Sequence, residues 1–450
     1  MADTSVSYKC PNCGAPLSYL PGDDHVTCEY CGSTFETSTI EKLFAKAQER
    51  AAEAERKQEA KWETEKAGNT WSEEEREGMQ VFTCSSCGAE LVADANTMAT
   101  ECCYCGNPTM IPSRFDGELK PDRIIPFQKT KEDAVASLKA FYEGKRLLPD
   151  AFRKGNRVED VQAMYVPFWL FDADVSAEAT FRAERVRRYE RGDEIITETK
   201  YYDCYRAGDM SFRRIPVDGS QKMDDAFMES IEPFDYHGLK PFSPAYLTGA
   251  LADRYDVDAE ASVPRADERI AGSAAELLEK TVEDYDSVSI NGDPTVHKES
   301  GDVTYAMAPV WILTTRYQNE PYTFMMNGQT GQMAGRLPYD NVKSYLYLAG
   351  SAVISLPILY AIIYAACWAE DVLSESTGLF SLPILIVSVI AAVLVGVAVR
   401  QALIKEMDNV HFAGSANEYL KKNSFRLTDE DDTYLYSDVT RVKKSSKDHS

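Results

Sequence analysis

Two long stretches near the end of the chain carry no charge: 344–369, with Leu346, Val353, Ile354, Leu359, Ile362 and Ile363, and 376–399, rich in Ile, Val and Leu. Each is long enough to cross a hydrocarbon layer of roughly 30 Å as a helix. The connection from Glu370 to Glu375 holds only acidic charge, so the pattern predicts two helices that return to one side. Lys343 precedes the first run, and Arg400 and Lys405 follow the second. By the enrichment of Lys and Arg in cytoplasmic flanks, both chain ends are expected in the cytoplasm. Two buried helices of a large soluble core are the alternative. Pro357 and Pro383 are expected to kink the spans. Neither span contains Asp, Glu, Lys, Arg or His, which argues against a proton relay or transporter.

Other periods appear upstream. Ile40, Leu43, Phe44, Ala47, Ala51 and Ala54 recur at helical spacing behind a capping pair, Ser38 and Glu41, and predict a helix from about Ile40 to Lys66. Its second half is nearly all Glu, Lys, Arg, Gln and Ala, which reads as a solvated spacer arm. Thr130 with Asp133, then Ala134, Leu138 and Phe141, predicts a helix over Lys131 to Lys145. From Tyr165 the period shortens to that of strands. A run to Phe171 is apolar throughout, and Ala173, Val175, Ala177, Ala179 and Phe181 alternate after it. Arg191-Gly192-Asp193 marks a hairpin leading to a strand over Ile195 to Tyr205. Val310 to Tyr317, Tyr322 to Met326, and the turn residues Asn327-Gly328 and Thr330-Gly331 mark another. Helical patterns fall in Ser220 to Leu251 and Ser273 to Tyr285. The tail, Asn417 to Lys444, mixes both periods and ends in Arg441, Lys443, Lys444 and Lys447. It is expected to be solvated and disordered, with attraction to anionic lipid as the alternative.

The 450 residues carry a formal charge of −24, which opposes a large phosphate-binding footprint and makes nucleic acid an unlikely partner. Met1–Ser7 is polar and shows no secretory signal. Eight of the 11 cysteines fall in four Cys-x-x-Cys pairs. Cys10, Cys13, Cys28 and Cys31 recur 74 residues later as Cys84, Cys87, Cys102 and Cys105, with fourteen residues between the pairs in each copy. Each short turn aims two sulfurs at one point, and the intervening hairpin brings a second turn opposite the first. Gly14, Gly32, Gly88 and Gly106 follow the pairs and permit the tight bend that turns backbone N–H groups toward sulfur. Four thiolates leave no open coordination position, so two structural zinc ions, one per module, are expected; rubredoxin-like iron and a redox dithiol are the alternatives. Thiolate ligands imply a reducing compartment. Cys103, between two ligands, reads as a thiol beside the turn rather than as a switching ligand.

No catalytic set emerges. His25, His237, His297, His411 and His449 share no metal spacing, and no glycine-rich loop carries the Lys and Ser/Thr of a phosphate-binding motif. Asp172 and Asp174 read as a polar strand face before a carboxylate pair, and Phe168 with Trp169 as core. The chain is not expected to be an enzyme.

The Cys-x-x-Cys-Gly turns with their fourteen-residue hairpins resemble transcription-factor-IIB-type zinc ribbons. The order of parts resembles bacterial two-span, double zinc-ribbon membrane proteins of envelope-stress modules. The likeness extends to IIPFQKTKEDA at Ile124, YVPFWLFDADV at Tyr165, PVWILTTRY at Pro309, MNGQTG at Met326 and SFRLTDEDDTYLYS at Ser424. It implies a membrane platform for cytoplasmic proteins of the phage-shock or flotillin-like kind. A helicase label sometimes attached to such cysteine-rich chains has no support in these motifs.

The expected fold is therefore multidomain: two small β zinc ribbons, a cytoplasmic α+β domain and a two-helix transmembrane hairpin. The divisions are ribbon 1 over 1–37, a charged helical linker over 38–78, ribbon 2 over 79–117, the α+β domain over 118–340, the membrane hairpin over 341–400, and a cytoplasmic tail over 401–450. The expected function is a membrane-anchored scaffold that recruits cytoplasmic proteins, with the lipid bilayer as its other partner and envelope stress as its setting; the alternative is a zinc-ribbon regulator that binds nucleic acid or acts in transcription or replication.

Overall fold

A computed structural model describes residues 8–17, 24–54, 59–94, 102–105, 107, 110–113, 119–155, 160–318, 320–369 and 381–443. Ribbon 1 consists of two hairpins, β1 (Tyr8–Lys9) with β2 (Pro16–Leu17) and β3 (His25–Thr27) with β4 (Thr34–Glu36). Helix α1 (Thr37–Ala54) follows directly. Leu17, Val26, Phe35 and Ile40 close a small core from both hairpins and the helix.

The helix expected to Lys66 is described as far as Ala54, and residues 55–58 lie outside the described residues. From residue 59 the chain is not a solvated arm but lies against the main sheet. Ala60 N–H donates to the Lys298 carbonyl at 2.9 Å, and Glu63 N–H to that of Gly301 at 2.8 Å. Trp62 packs edge-on against Phe171 with ring centroids 4.9 Å apart, and its Nε1 donates to Asp267 at 3.0 Å. One aromatic ring thus outweighs the charged composition around it. A short helix, α2 (Glu73–Glu77), begins with a capping box between Ser72 and Glu75.

Ribbon 2 contains β5 (Met79–Cys84), β6 (Glu90–Asp94) and β7 (Met110–Ser113), with β5 between the other two. After β8 (Arg123–Ile124) comes α3 (Lys131–Tyr142), held by the expected reciprocal Thr130–Asp133 cap and three residues shorter than expected. Helix α4 (Asp150–Gly155) precedes the two longest strands, β9 (Asp160–Arg191) and β10 (Glu194–Asp218). Arg191 pairs with Glu194 across the expected tight turn, where Gly192 takes a φ of +66°.

The chain continues through α5 (Asp225–Ser230), β11 (Lys240–Pro241), β12 (Leu251–Asp253), α6 (Ala259–Glu279), β13 (Ser287–Ile290), β14 (Thr295–Tyr317), β15 (Glu320–Asn327) and β16 (Met333–Gly335). Helix α6 starts well before the expected Ser273, capped by Asp258, and Pro264 lies inside it. The hairpin expected from Val310 to Gly331 forms, with Val310 opposite Asn327, and the chain turns once more into β16, with Met326 opposite Met333.

Among the described residues, one mixed sheet of 13 strands results. Its path β11-β8-β14-β9-β12-β6-β5-β7 shows that ribbon 2 is continuous with the large sheet through β12, which runs parallel to β9 and antiparallel to β6. The apolar run of β9 is apolar because both its faces are covered: Tyr165, Trp169 and Phe171 enter one core, and Met164, Val166, Phe168 and Leu170 another. Asp172 and Asp174 form a polar face. Asp174 accepts from Arg213 Nη2 at 2.7 Å and from Ser300 Oγ at 2.9 Å, while Asp172 accepts from the Arg214 N–H.

Two apolar helices follow, α7 (Asn341–Ala369) and α8 (Leu382–Lys405). Both are long and apolar enough to cross a membrane; none of the most apolar window of α7 is buried and 22% of that of α8 is. Pro357 lies within α7, but Pro383 falls in the first turn of α8, where a missing N–H breaks no bond, so the kink expected there is not needed. The acidic connection from Glu370 to Glu375 lies outside the described residues. Ser388, Ala392 and Gly396 are buried four residues apart on α8. Leu147, Leu148, Leu313, Leu337, Leu403 and Met407 pack the end of α8 onto the end of the sheet where β9 begins.

The tail is ordered. Strand β17 (Arg426–Lys443) pairs with β10 from Asp209↔Arg426 to Glu194↔Lys443. Its acidic half is offset from neighbouring elements: Lys46 bonds Asp431 at 2.8 Å, Arg206 bonds Asp432 at 2.6 Å, and Arg50 lies 3.5 Å from Asp429. Disorder was the expectation because these charges break the strand period; their partners are remote in sequence. Lys444 and Lys447 lie outside the described residues.

Candidate metal centres

The eight predicted sulfurs gather into two groups of four, Cys10, Cys13, Cys28 and Cys31 in ribbon 1 and Cys84, Cys87, Cys102 and Cys105 in ribbon 2. In ribbon 1, Cys10 and Cys31 Sγ are 3.7 Å apart and Cys13 and Cys28 Sγ 3.6 Å; in ribbon 2, Cys84–Cys105 and Cys87–Cys102 are both 3.6 Å. A disulfide needs about 2.05 Å. A tetrahedron with metal–sulfur bonds of about 2.3 Å has edges of about 3.8 Å, so the spacing suits a four-coordinate ion.

The turns repeat one backbone design. The N–H of the glycine after each of three pairs returns to the first cysteine's carbonyl: Gly14 to Cys10 at 2.8 Å, Gly32 to Cys28 at 2.9 Å and Gly88 to Cys84 at 3.0 Å. Gly14, Gly32 and Gly88 all have φ between +70° and +74°, which a side chain would strain. Gly106 lies outside the described residues. The N–H groups that face sulfur belong to other residues of the turns: Asn12 N–H is 3.4 Å from Cys10 Sγ, and the amide side chain of Asn107 is 3.7 Å from Cys84 Sγ.

Four clustered thiols resist full ionisation without a cation. Burial pushes the Cys10 and Cys87 thiols up to about 12. Hydrogen bonds with the Ser33 hydroxyl and N–H hold Cys31 down at about 6, and one with the Cys103 thiol holds Cys102 at about 4. A divalent ion supplies the positive charge that lets all four become thiolates.

Cys103 stays out of the sulfur group and packs beside Tyr104 on the core that contains Phe168 and Met223. This is the thiol beside the turn that the spacing predicts.

The surroundings were not legible in advance. Ribbon 1 sits on β10 and β17: Tyr436 stacks on Tyr201 at 4.6 Å, meets Phe35 edge-on at 5.4 Å, and the adjacent Leu435 is buried in the ribbon core. Leu435 is available because the register slips between Tyr201 and Tyr202, leaving it unpaired. Ribbon 2 is tied by Lys222 Nζ, which donates to the Cys87 carbonyl at 3.0 Å, and by an ion pair of Arg254 with Glu90.

No family profile and no solved structure matches the chain. A relative from Bacillus subtilis (strain 168), "Uncharacterized protein YdjG", is 31% identical over 349 residues, covering 77% of this chain and 94% of the relative. A likeness of that extent spans far more than two cysteine clusters, and the chain belongs to the family of YdjG.

Proposed function

We propose that the protein is a membrane-anchored scaffold: two zinc ions hold the ribbons in shape, α7 and α8 form a transmembrane hairpin with both chain ends in the cytoplasm, and the ribbons with the sheet recruit cytoplasmic proteins. One observation carries this reading. The four-sulfur groups are closed, and ribbon 1 sits far along the same sheet whose other end holds the apolar helices. Arg182, which contacts ribbon 1, stands 22 residues along β9 from Asp160. At about 3.3 Å per residue the strand reaches up to roughly 70 Å. Such a rod supports recognition away from a bilayer, and closed thiolate sites support shape rather than turnover. The resemblance to double zinc-ribbon proteins makes an envelope-stress role the natural setting.

The test is affinity capture from membranes, comparing the intact chain with variants carrying Cys10→Ser and Cys84→Ser. The scaffold reading expects both substitutions to deplete specific cytoplasmic proteins, and a fragment ending at Asp340 to leave the membrane. Full membrane retention of that fragment without any partner would refute the anchor.

A second reading, a regulator that binds nucleic acid, is favoured by one feature. Arg187, Arg188, Arg191, Arg441 and Lys443 are exposed near the β9–β10 turn of an otherwise acidic chain. It requires salt-dependent DNA or RNA binding that is lost when these residues are neutralised.

A further inference from the structure

Arg182 grips the first turn of ribbon 1 from outside. Its guanidinium donates to the carbonyl of Asn12 at 3.1 Å, to the carbonyl of Pro11 and to Asn12 Oδ1. The C=O and N–H of a trans peptide point in opposite directions, so a cation on the oxygen sharpens the positive end at the nitrogen. The peptide between Pro11 and Asn12 presents its N–H to Cys10 Sγ, and the next presents that of Cys13 to the same sulfur. The Asn12 side chain repeats the arrangement. Its Oδ1 receives Arg182, while its Nδ2 donates to Ser33 Oγ at 2.8 Å and lies 3.8 Å from Cys31 Sγ. Three dipoles therefore run from one guanidinium toward two sulfurs.

Four thiolates around a divalent ion carry a net charge of −2, which aligned N–H groups and a cation behind them stabilise. Ribbon 2 provides an internal contrast. Lys222 sits on the Cys87 carbonyl, but the N–H of that same peptide, at Gly88, donates to the Cys84 carbonyl at 3.0 Å. Lys222 tethers the ribbon without directing a dipole at a ligand.

We infer that Arg182 is a positioning residue for metal: it links metal retention in ribbon 1 to the seating of that ribbon on β9, whereas retention in ribbon 2 is independent of Lys222. This rests on the metal reading above.

The experiment uses the full chain in detergent micelles, loaded with Zn²⁺. Metal content is counted by mass spectrometry, and release to excess chelator is followed with a chromogenic zinc dye. Two ions per wild-type chain are expected; a chain that holds none after loading sinks the metal reading itself, before any variant is compared. Given two ions, Arg182→Ala is expected to speed release of one by about 10- to 100-fold and leave the other unchanged. Lys222→Ala is expected to shift neither by more than about threefold. Equal release from Arg182→Ala and wild type, or equal acceleration by Lys222→Ala, overturns the inference. If Arg182→Ala loses the wild-type far-ultraviolet circular dichroism, Arg182→Gln, which keeps donors but not charge, decides instead: acceleration supports the link and unchanged release overturns it.

Discussion

Arg269 and Glu232 face each other as a two-pronged ion pair in the interior, Nη2 to Oε2 at 2.6 Å and Nη1 to Oε1 at 3.1 Å, with 2% and 7% of their side chains exposed. The Tyr419 hydroxyl also donates to Glu232 Oε2 at 2.6 Å, and Arg269 Nη1 donates to the Pro216 carbonyl at 2.8 Å. The pair thus pins α6 to β10 and to the segment that follows the two apolar helices. Removing one member strands a buried charge, so Arg269→Met is expected to cost about 3–5 kcal/mol in denaturant unfolding followed by tryptophan fluorescence. The double variant with Glu232→Met is expected to recover most of it. A single-variant cost below about 1 kcal/mol would contradict this.

Asp203 gives the fold a dependence on pH. Burial raises its carboxyl to about 6, against the attraction of Arg182 and with the repulsion of Asp431. An acid raised on folding binds protons more readily in the native state, so its contribution is fully present below about pH 4 and is lost as pH rises through about 6. Asp203→Asn is therefore expected to stabilise the protein by about 1–2 kcal/mol at pH 8 and to make no difference at pH 4. Thermal melts at the two pH values decide it; a larger benefit at pH 4 would reverse the sign.

Close packing of α7 and α8 depends on Gly396. A Cβ there would come 2.7 Å from the Leu348 carbonyl oxygen, whereas one at Gly350 would meet nothing within 4 Å. With cysteines placed at Ser344 and Arg400, whose side chains lie 3.3 Å apart, Gly396→Val is expected to cut oxidative cross-linking in membranes several-fold and Gly350→Ala to leave it unchanged. Equal yields in both variants would show that the helices do not meet at this point.

How much of this was readable beforehand depended on how local each cause is. Sulfurs that could hold one ion come two from each short turn, so Cys10 to Cys31 and Cys84 to Cys105 announce themselves by spacing. Gly192 and Asn327-Gly328 likewise mark turns set by a few dihedral angles. The failures have distant causes. Trp62 reads as part of a charged arm until Phe171 stands beside it, and the acidic run Asp429–Asp432 reads as solvated until Lys46, Arg50 and Arg206 are placed around it. Pro264 disguised the first half of α6, although Asp258 supplies the cap. Ribbon 2 joins the sheet through β12, only three residues long, too short to carry a period of its own.

Leu435 is the plug between ribbon 1 and the sheet. Its truncation to Ala is expected to cost about 2–5 kcal/mol, concentrated in the ribbon, and to expose the chain near residue 54 to limited proteolysis. Mass spectrometry of the first fragments reads the site; unchanged cleavage would mean that Tyr201 and Tyr436 hold ribbon 1 unaided.

That plug also sets a timetable. Ribbon 1 leaves the ribosome well ahead of β17, yet its seat includes Leu435 and Tyr436, which emerge only after α7 and α8 have been made. Until then the ribbon has its own small core and no dock. Its final placement is a late step of biosynthesis, taken after both long apolar helices have already been made.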